Sequence, residues 1–426
     1  MTLADAEVIL LDCVHKTPSA QPSGIPYIAI PQMKNGELDP TDARHISPRD
    51  FKEWTSKALP IRHDIVLSRR CNPGATAYVR GNFQFALGQN LVLLRSKGTE
   101  VLPEFLRWLV RSPGWWEQIQ KFLNVGAVFD SLRCADIPNF QFTIPPVDEQ
   151  RVITSILSSL DDKIDLNRRM NETLEAMARA IFKDWFVDFG PTRAKMEGRA
   201  PYLAKEIWDL FPDALDDERK PVGWVLKPLA ECFEIIGGGT PKTSVAEYWG
   251  EGIPWFSVVD TPPPGCVFVV ETEKSITACG LKESSARLVP AGTTIISARG
   301  TVGNLAMTAC DMAFNQSCYA LRGDGGLGDS FVFLAAQHMV DRLKSMAHGS
   351  VFSTITRQTF EAITLPVPGN DFFSCFENVA APLFLKIKSN VIETRTLAQT
   401  RDLLLPKLMS GEIRFKDAEK AVGAML

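Results

Sequence analysis

The spacing of apolar positions divides the chain into four stretches. Residues 1–147 and 222–370 carry short apolar runs broken by Gly, Pro and Asn turn signals, which predicts β-rich globular units. Two further stretches, near 148–189 and near 374–410, have the period of helices instead. In the first, Ile153, Leu157, Leu160, Ile164, Asn167, Asn171, Leu174, Ala178, Ile181 and Trp185 recur at alternating steps of four and three, a heptad seam. Adding 223 to each gives Phe376, Ala380, Leu383, Ile387, Asn390, Thr394, Leu397, Arg401, Leu404 and Leu408, a second seam that is apolar at its ends and polar in its middle, like the first. Two such seams in one chain are expected to pack on each other, each buried Leu or Ile contributing about 1.5–3 kcal/mol. Asn167 and Asn390 are expected to give up part of that gain to set the register. Asp148, just after Pro145-Pro146, is placed as an N-cap, and Pro382 and Pro406 predict that the second helix starts late or bends.

The β-rich stretches repeat one another. Thr17-Pro18 and Gly24-Ile25-Pro26-Tyr27 recur as Thr240-Pro241 and Gly252-Ile253-Pro254-Trp255. DIVLSR at 64–69 recurs as TIISAR at 294–299, and ALGQNLVLLR at 86–95 as AFNQSCYALR at 313–322. Gly126–Phe129 returns at Gly349–Phe352, and FTIPP at 142–146 as ITLPV at 363–367. The order and spacing hold over about 150 residues, so a duplicated unit is the economical explanation. The expected fold is α+β: two similar domains, 1–147 and 222–370, separated by a helix at 148–190 and a linker at 191–221. A second helix with a tail follows at 371–426, and the two helices form an antiparallel coiled coil.

Composition adds mainly exclusions. The chain is 45% hydrophobic and 23% charged, without an apolar stretch long enough to span a bilayer, and the N-terminus lacks a basic signal region, so a cytoplasmic protein is expected. Nine cysteines lie without a C-x-x-C pair, the usage of free buried thiols rather than of disulfides or zinc. The net charge of −4 does not mark a nucleic-acid binder. By segment the balance is +2 for residues 1–147, −4 for 148–221, −3 for 222–370 and +1 for 371–426. Phosphate binding would therefore need focused local patches or a more basic partner.

The run LDDKIDLNRRMNETLEAMARAIFKDWFVDF at 160–189 and RAKMEGRAPY at 193–202 resemble the central helical region of type I restriction–modification specificity subunits. PPVDEQRVI at 145–153 and LLLPKLMSGEI at 403–413 resemble the boundaries of that family's helical regions. The resemblance implies a non-catalytic subunit whose two globular halves are target-recognition domains, each reading one half of a bipartite, asymmetric double-stranded DNA site. The helices would act as a spacer. Two methyltransferase (M) subunits and two restriction (R) subunits would assemble on it, with S-adenosylmethionine on M, ATP and Mg²⁺ on R, and no cofactor in this chain. A helix over 148–189 is about 60 Å long, which spaces two readers one to two turns apart on B-DNA.

The residues themselves offer no catalytic set. A methyltransferase motif and a G-x-x-x-x-G-K-S/T loop are both missing. Gly237-Gly238-Gly239-Thr240 reads as a tight turn rather than a phosphate loop. Pro212-Asp213 with Glu218-Arg219-Lys220 imitates a nuclease PD…ExK pattern, but within an acidic linker where no hairpin brings the carboxylates to one metal. For base and phosphate contacts the candidates in the first half are Lys34, Asn35, Arg69, Arg70, Arg80 and Gln89, with Arg44, Asn72, Asn82 and Gln84 nearby. The second half offers Lys242, Thr243, Arg299, Asn304, Gln316 and Arg357, with Lys282 and Asn315 nearby. Arg69 and Arg299 take equivalent places, after an apolar strand and before a glycine turn. Trp115-Trp116 reads as core or as surface for M. A coiled-coil adaptor and a self-sufficient DNA-modifying enzyme remain as alternatives.

Overall fold

The computed structural model describes residues 1–81, 83–126, 129–324, 326–346 and 354–425. Asn82 and most of the Gly126–Phe129 and Gly349–Phe352 repeat lie outside the described residues. Two compact units emerge, Met1–Lys163 with Leu397–Leu426, and Ile164–Thr396.

In the first unit the strands are β1 (Val8–Leu11), β2 (Ile25–Ile28), β3 (Met33–Lys34), β4 (Glu37–Leu38), β5 (Arg44–Ile46), β6 (Ile65–Ser68), β7 (Thr76–Tyr78), β8 (Ala86–Leu87) and β9 (Leu91–Ser96). They form a sheet ordered β1-β9-β6-β7-β4-β3 and a smaller one ordered β5-β2-β8. Helix α1 (Pro48–Trp54) is capped by Ser47, whose hydroxyl accepts from the Asp50 amide at 3.1 Å. Helices α2 (Pro103–Leu109) and α3 (Pro113–Phe122) follow β9 and bury Phe105, Leu106, Trp108 and Trp115. β3 and β4 are joined by Asn35-Gly36, both at positive φ (53° and 79°), a two-residue hairpin of the kind Asn-Gly favours.

Helix α4 (Val147–Phe186) begins one residue before the expected cap, so Asp148 lies in its first turn, where its charge suits the helix dipole. The stretch expected as a linker is partly helical, with α5 (Gly190–Met196) and α6 (Lys205–Trp208), and it buries Ala194, Trp208 and Phe211.

The second unit repeats the first. β10 (Val225–Pro228) and α7 (Leu229–Cys232) lead into β11 (Phe233–Gly237), β12 (Trp249–Phe256), β13 (Phe268–Val269), β14 (Lys274–Ile276), α8 (Ala278–Lys282), β15 (Leu288–Val289), β16 (Thr294–Ser297), β17 (Leu305–Thr308), β18 (Met312–Phe314) and β19 (Cys318–Gly323). The sheets are ordered β11-β19-β16-β17-β13 and β14-β12-β18-β15, the first unit's order without a counterpart of β3 and with β15 added. Tyr27 pairs with Ala86 in parallel, as Trp255 does with Ala313, and Ile25 pairs with Ile46 as Ile253 does with Ile276. Helix α8 is capped by Thr277 in the place of Ser47. Then come α9 (Asp329–Met346), α10 (Arg357–Ala362) and β20 (Thr364–Val367), the last paired with β10.

Helix α11 (Asn370–Ser410) runs unbroken through Pro382 and Pro406, contrary to the expected late start. Each internal proline costs about 3 kcal/mol. Burial of Phe376, Ala380, Phe384, Leu404, Leu405 and Leu408 on its length offsets that. A last helix, α12 (Phe415–Gly423), belongs to the first unit.

Helices α4 and α11 pack antiparallel. Of the seam positions on α4, Ile153, Leu157, Leu160, Ile164, Asn167, Asn171, Ala178 and Trp185 are buried, and Leu174 and Ile181 are half-buried. On α11, Phe376, Ala380, Ile387, Asn390, Leu397, Leu404 and Leu408 are buried, and Leu383, Thr394 and Arg401 are half-buried. Asn390 Nδ2 donates to Asn171 Oδ1 at 2.8 Å, and Asn167 Nδ2 donates to Glu393 Oε2 at 2.9 Å and to Thr394 Oγ1 at 3.5 Å. The two asparagines thus pair with other residues and not with each other, because antiparallel helices match rising positions on one with falling positions on the other.

Candidate nucleic-acid interface

In each unit three segments meet at one end of the main sheet: the turn before β9 or β19, the loop after β6 or β16, and the segment around the repeated Thr-Pro. Backbone bonds fix the correspondence. Arg69 N donates to Asn90 O at 3.0 Å, as Ala298 N does to Ser317 O at 2.8 Å. Leu132 N donates to Arg69 O, as Ile355 N does to Ala298 O, and Gly74 N to Ser68 O, as Gly303 N does to Ser297 O. Ser68 therefore matches Ser297, Arg69 matches Ala298, and Arg70 matches Arg299. This corrects the sequence pairing of Arg69 with Arg299 by one residue. In extended chain a one-residue slip exchanges the two faces. Arg69 turns inward, 9% exposed, while Arg70 and Arg299 are exposed.

In the first unit His15, Arg69, Arg70, Gln89 and Asn90 line a recess of about 350 Å³. Its walls are held by local bonds. The Tyr27 hydroxyl accepts from Gln89 N and donates to Lys16 O, both at 3.2 Å. His15 places Nδ1 2.9 Å from the Gln89 carbonyl and Nε2 3.0 Å from Asp12 Oδ2. The Arg70 guanidinium lies 5.5 Å from the Phe129 ring centre. Arg69 Nε has no hydrogen-bond partner, and among the described residues Arg69 makes no ion pair. Gln89 and Asn90 also border a second recess, of about 370 Å³, with Thr17, Tyr27, Asp42 and Arg44.

Asp12, Cys13 and His15 bring three ligand atoms within 4.8 Å of one another, the one such trio among the described residues. Burial, reinforced by the Asp12 charge, pushes the Cys13 thiol up to about 11, so the sulfur stays protonated. A protonated thiol with a guanidinium nearby is poor company for a cation.

The second unit builds the corresponding edge differently. Trp255 Nε1 donates to Gly239 O at 3.0 Å, replacing the Tyr27 hydroxyl on Lys16 O. The Thr240 hydroxyl donates to the Gln316 side-chain oxygen. A Cβ on Gly238 would overlap the Asn315 carbonyl, and one on Gly239 the Ser285 backbone, so these glycines serve close chain approach. Thr243 lines a recess of about 560 Å³ with Trp249, Glu251, Glu273 and Lys274, and Lys242 is exposed beside it. Asn304 exchanges bonds with Ser297, its N donating to Ser297 Oγ at 2.9 Å, and lines a different recess of about 600 Å³ that includes Arg179 and Pro262–Pro264. Arg357 is exposed and donates to the Ile235 carbonyl at 3.0 Å.

Three candidates of the first unit are occupied elsewhere. Arg80 donates to Glu37 at 3.0 Å and to Asp161 at 3.2 Å, inside an ionic cluster on α4. Asn35 forms the hairpin turn, and Lys34 pairs with Asp39 at 2.7 Å. The nuclease-like residues are dispersed among separate lysines: Asp213 pairs with Lys195 at 3.0 Å, and Glu218 with Lys220 at 2.8 Å. Trp115 is core, donating to Gly74 O at 2.9 Å, and Trp116 is exposed. Sequence reasoning missed His15 and Asn90. The available signal was their position, two residues before the repeated Thr-Pro and directly after the repeated Gln.

A family model described as "Type I restriction modification DNA specificity domain" matches residues 13–176 and 221–371. The HindI type I restriction enzyme specificity subunit of Haemophilus influenzae is 28% identical over 413 residues, covering 86% of this chain and 89% of that one. The MjaIX specificity subunit of Methanocaldococcus jannaschii is 24% identical over 414 residues, covering 92% and 88%. The crystal structure of a type I system S subunit from M. genitalium shares the fold, with a TM-score of 0.54 at 15% identity over 96% of this chain and 95% of that one. With the family model matched in both β-rich halves, the chain belongs to the DNA specificity (S) subunits of type I restriction–modification systems, the non-catalytic members of those enzymes.

Proposed function

We propose that this chain is the recognition and scaffold subunit of a cytoplasmic type I complex, with each β-rich half reading one part of a bipartite, asymmetric DNA target. The carrying observation is that the two halves repeat one sheet plan while their matched edges differ, Arg69, Asn90 and Tyr27 standing opposite Ala298, Ser317 and Trp255. A shared frame with unlike side chains at its edge suits two different half-sites. Arg70, Gln89, Arg299 and Gln316 are exposed at matched places, where a guanidinium or amide can reach a base edge in the major groove. Helices α4 and α11 serve as the spacer and as the seat of two M subunits, with two R subunits joining them. S-adenosylmethionine then belongs to M, and ATP and Mg²⁺ to R.

Sequencing of methylated adenines in DNA from cells expressing this chain with its cognate M subunit tests the reading. A split motif with two unlike halves and a constant gap is expected. A soluble S–M complex that produces no new motif would overturn it.

A further inference from the structure

We infer that Arg69, with Arg70, forms an anion seat in the first unit that takes one phosphodiester of the DNA backbone; the inference rests on the DNA-reading function proposed above. Arg69 is 9% exposed, its Nε is buried without a partner, and no carboxylate is bound to its guanidinium. Burying a charge without a partner is costly, so structures that hold one commonly supply the partner from a ligand. A second guanidinium, Arg70, shares the lining of the recess with the side chains of Gln89 and Asn90, while the nearby Asp12 carboxylate is bonded to His15.

Shape separates a phosphate from a base. Base edges lie at the floor of a groove and must be reached by a protruding side chain, whereas phosphates project from the duplex and fit a depression. Arg69 is recessed, and Arg70 and Gln89 are exposed at its rim. The seat also belongs to one half only, because Ala298 stands at the matching position of the second unit. Arg69 is therefore a positioning residue that sets the register of one recognition domain on the duplex and reads no base itself.

The test uses the S–M complex, its own methylated motif and an unrelated duplex, with affinities measured across a salt series. Arg69→Gln should weaken both duplexes by the same factor, about tenfold for a lost charge-assisted contact, and lower the slope of log affinity against log salt by about 0.9. Arg69→Lys should restore the slope but not the full affinity. In the wild type, inorganic phosphate at constant ionic strength should compete with DNA; in Arg69→Gln it should not. Thermal unfolding of each variant complex controls for folding. An unaltered slope in Arg69→Gln overturns the seat, as does a loss confined to one base pair, which would make Arg69 a base reader. Competition by phosphate with no change in slope overturns the DNA backbone as the occupant. If the wild-type complex discriminates its motif but Arg69→Gln behaves like it, the seat alone fails. If the wild type does not discriminate, the recognition function fails first.

Discussion

The two recognition domains share a sheet plan but fasten to the long helices with opposite chemistry. In the first unit the fastening is ionic. Asp161 on α4, 2% exposed, is approached by four guanidinium groups: Arg107, Arg401 at 2.6 Å, Arg80 at 3.2 Å and Arg111 at 3.5 Å. Glu37 supplies a second carboxylate, 3.0 Å from Arg80. Burial, together with repulsion from Arg80, pulls Arg107 down to about 10, a sign that cations crowd the cluster even with Asp161 in contact. In the second unit the fastening is aromatic. Phe331 of α9 meets Phe186 of α4 and Phe373 and Phe376 of α11 edge to face, and Phe182, Trp185 and Phe186 meet Phe372 and Phe376 of α11 in the same way, at centroid separations of about 5–6 Å. Trp224 and Phe211 close that cluster. An ionic joint demands particular partners at particular distances, while an aromatic one is held by area and tolerates local adjustment.

The largest effect is expected where area is lost. Phe331→Ala should destabilise the second unit by about 3–5 kcal/mol, the cost of an emptied aromatic site in a packed core. The loss should hardly change between low and high salt in thermal unfolding. Asp161→Asn follows, at about 3 kcal/mol, because the buried Arg107 and the half-buried Arg80, Arg111 and Arg401 lose their common counter-charge. Hydrogen exchange should rise in residues 1–163 and stay unchanged around Phe331 and Phe376. A uniform rise in both units would dissolve the contrast between the two joints.

Asn390→Leu is expected to cost about 1–2 kcal/mol, since it leaves the buried Asn171 amide without its partner. Chemical denaturation with Asn171→Leu combined should recover part of that loss, as two apolar residues can face each other.

The smallest effect concerns acid, and here the units should agree. Burial lowers His63 in the first unit and His338 in the second below the usual 6.5. Folding then favours the neutral ring, so this contribution is complete above pH 6.5 and is lost as the pH falls below it. The melting temperature should drop on mild acidification. His338→Gln should reduce that drop without removing it, and should match the wild-type pH response above neutrality. An unchanged acid response in His338→Gln would remove His338 from the account.

Several of these features are legible in the sequence. The heptad seams predict two long helices, and Phe376, Asn390 and Leu397 on the second seam are buried. The repeated Gly-Ile-Pro and the strand pairs around it predict one plan used twice. Asn35-Gly36 was also readable as a hairpin, although Asn35 was placed among the DNA contacts. The pairing of Arg69 with Arg299 slips by one residue for a reason specific to strands. DIVLSR and TIISAR align by eye with Leu67 on Ser297, but the strand register puts Ser68 there, so Arg70 and not Arg69 matches Arg299. Arg80 bonds to Asp161, 81 residues away on a helix, a contact that no local pattern reveals.

By itself the sequence determined the order of elements, the twofold repeat and the helix seams, because periodicity and turn residues act over a few neighbouring positions. Only the tertiary structure decided which arginine faces inward, which is consumed by Asp161 and which asparagines pair. Those outcomes depend on strand register and on contacts between distant segments, and a shift of one residue reverses the face that a side chain presents.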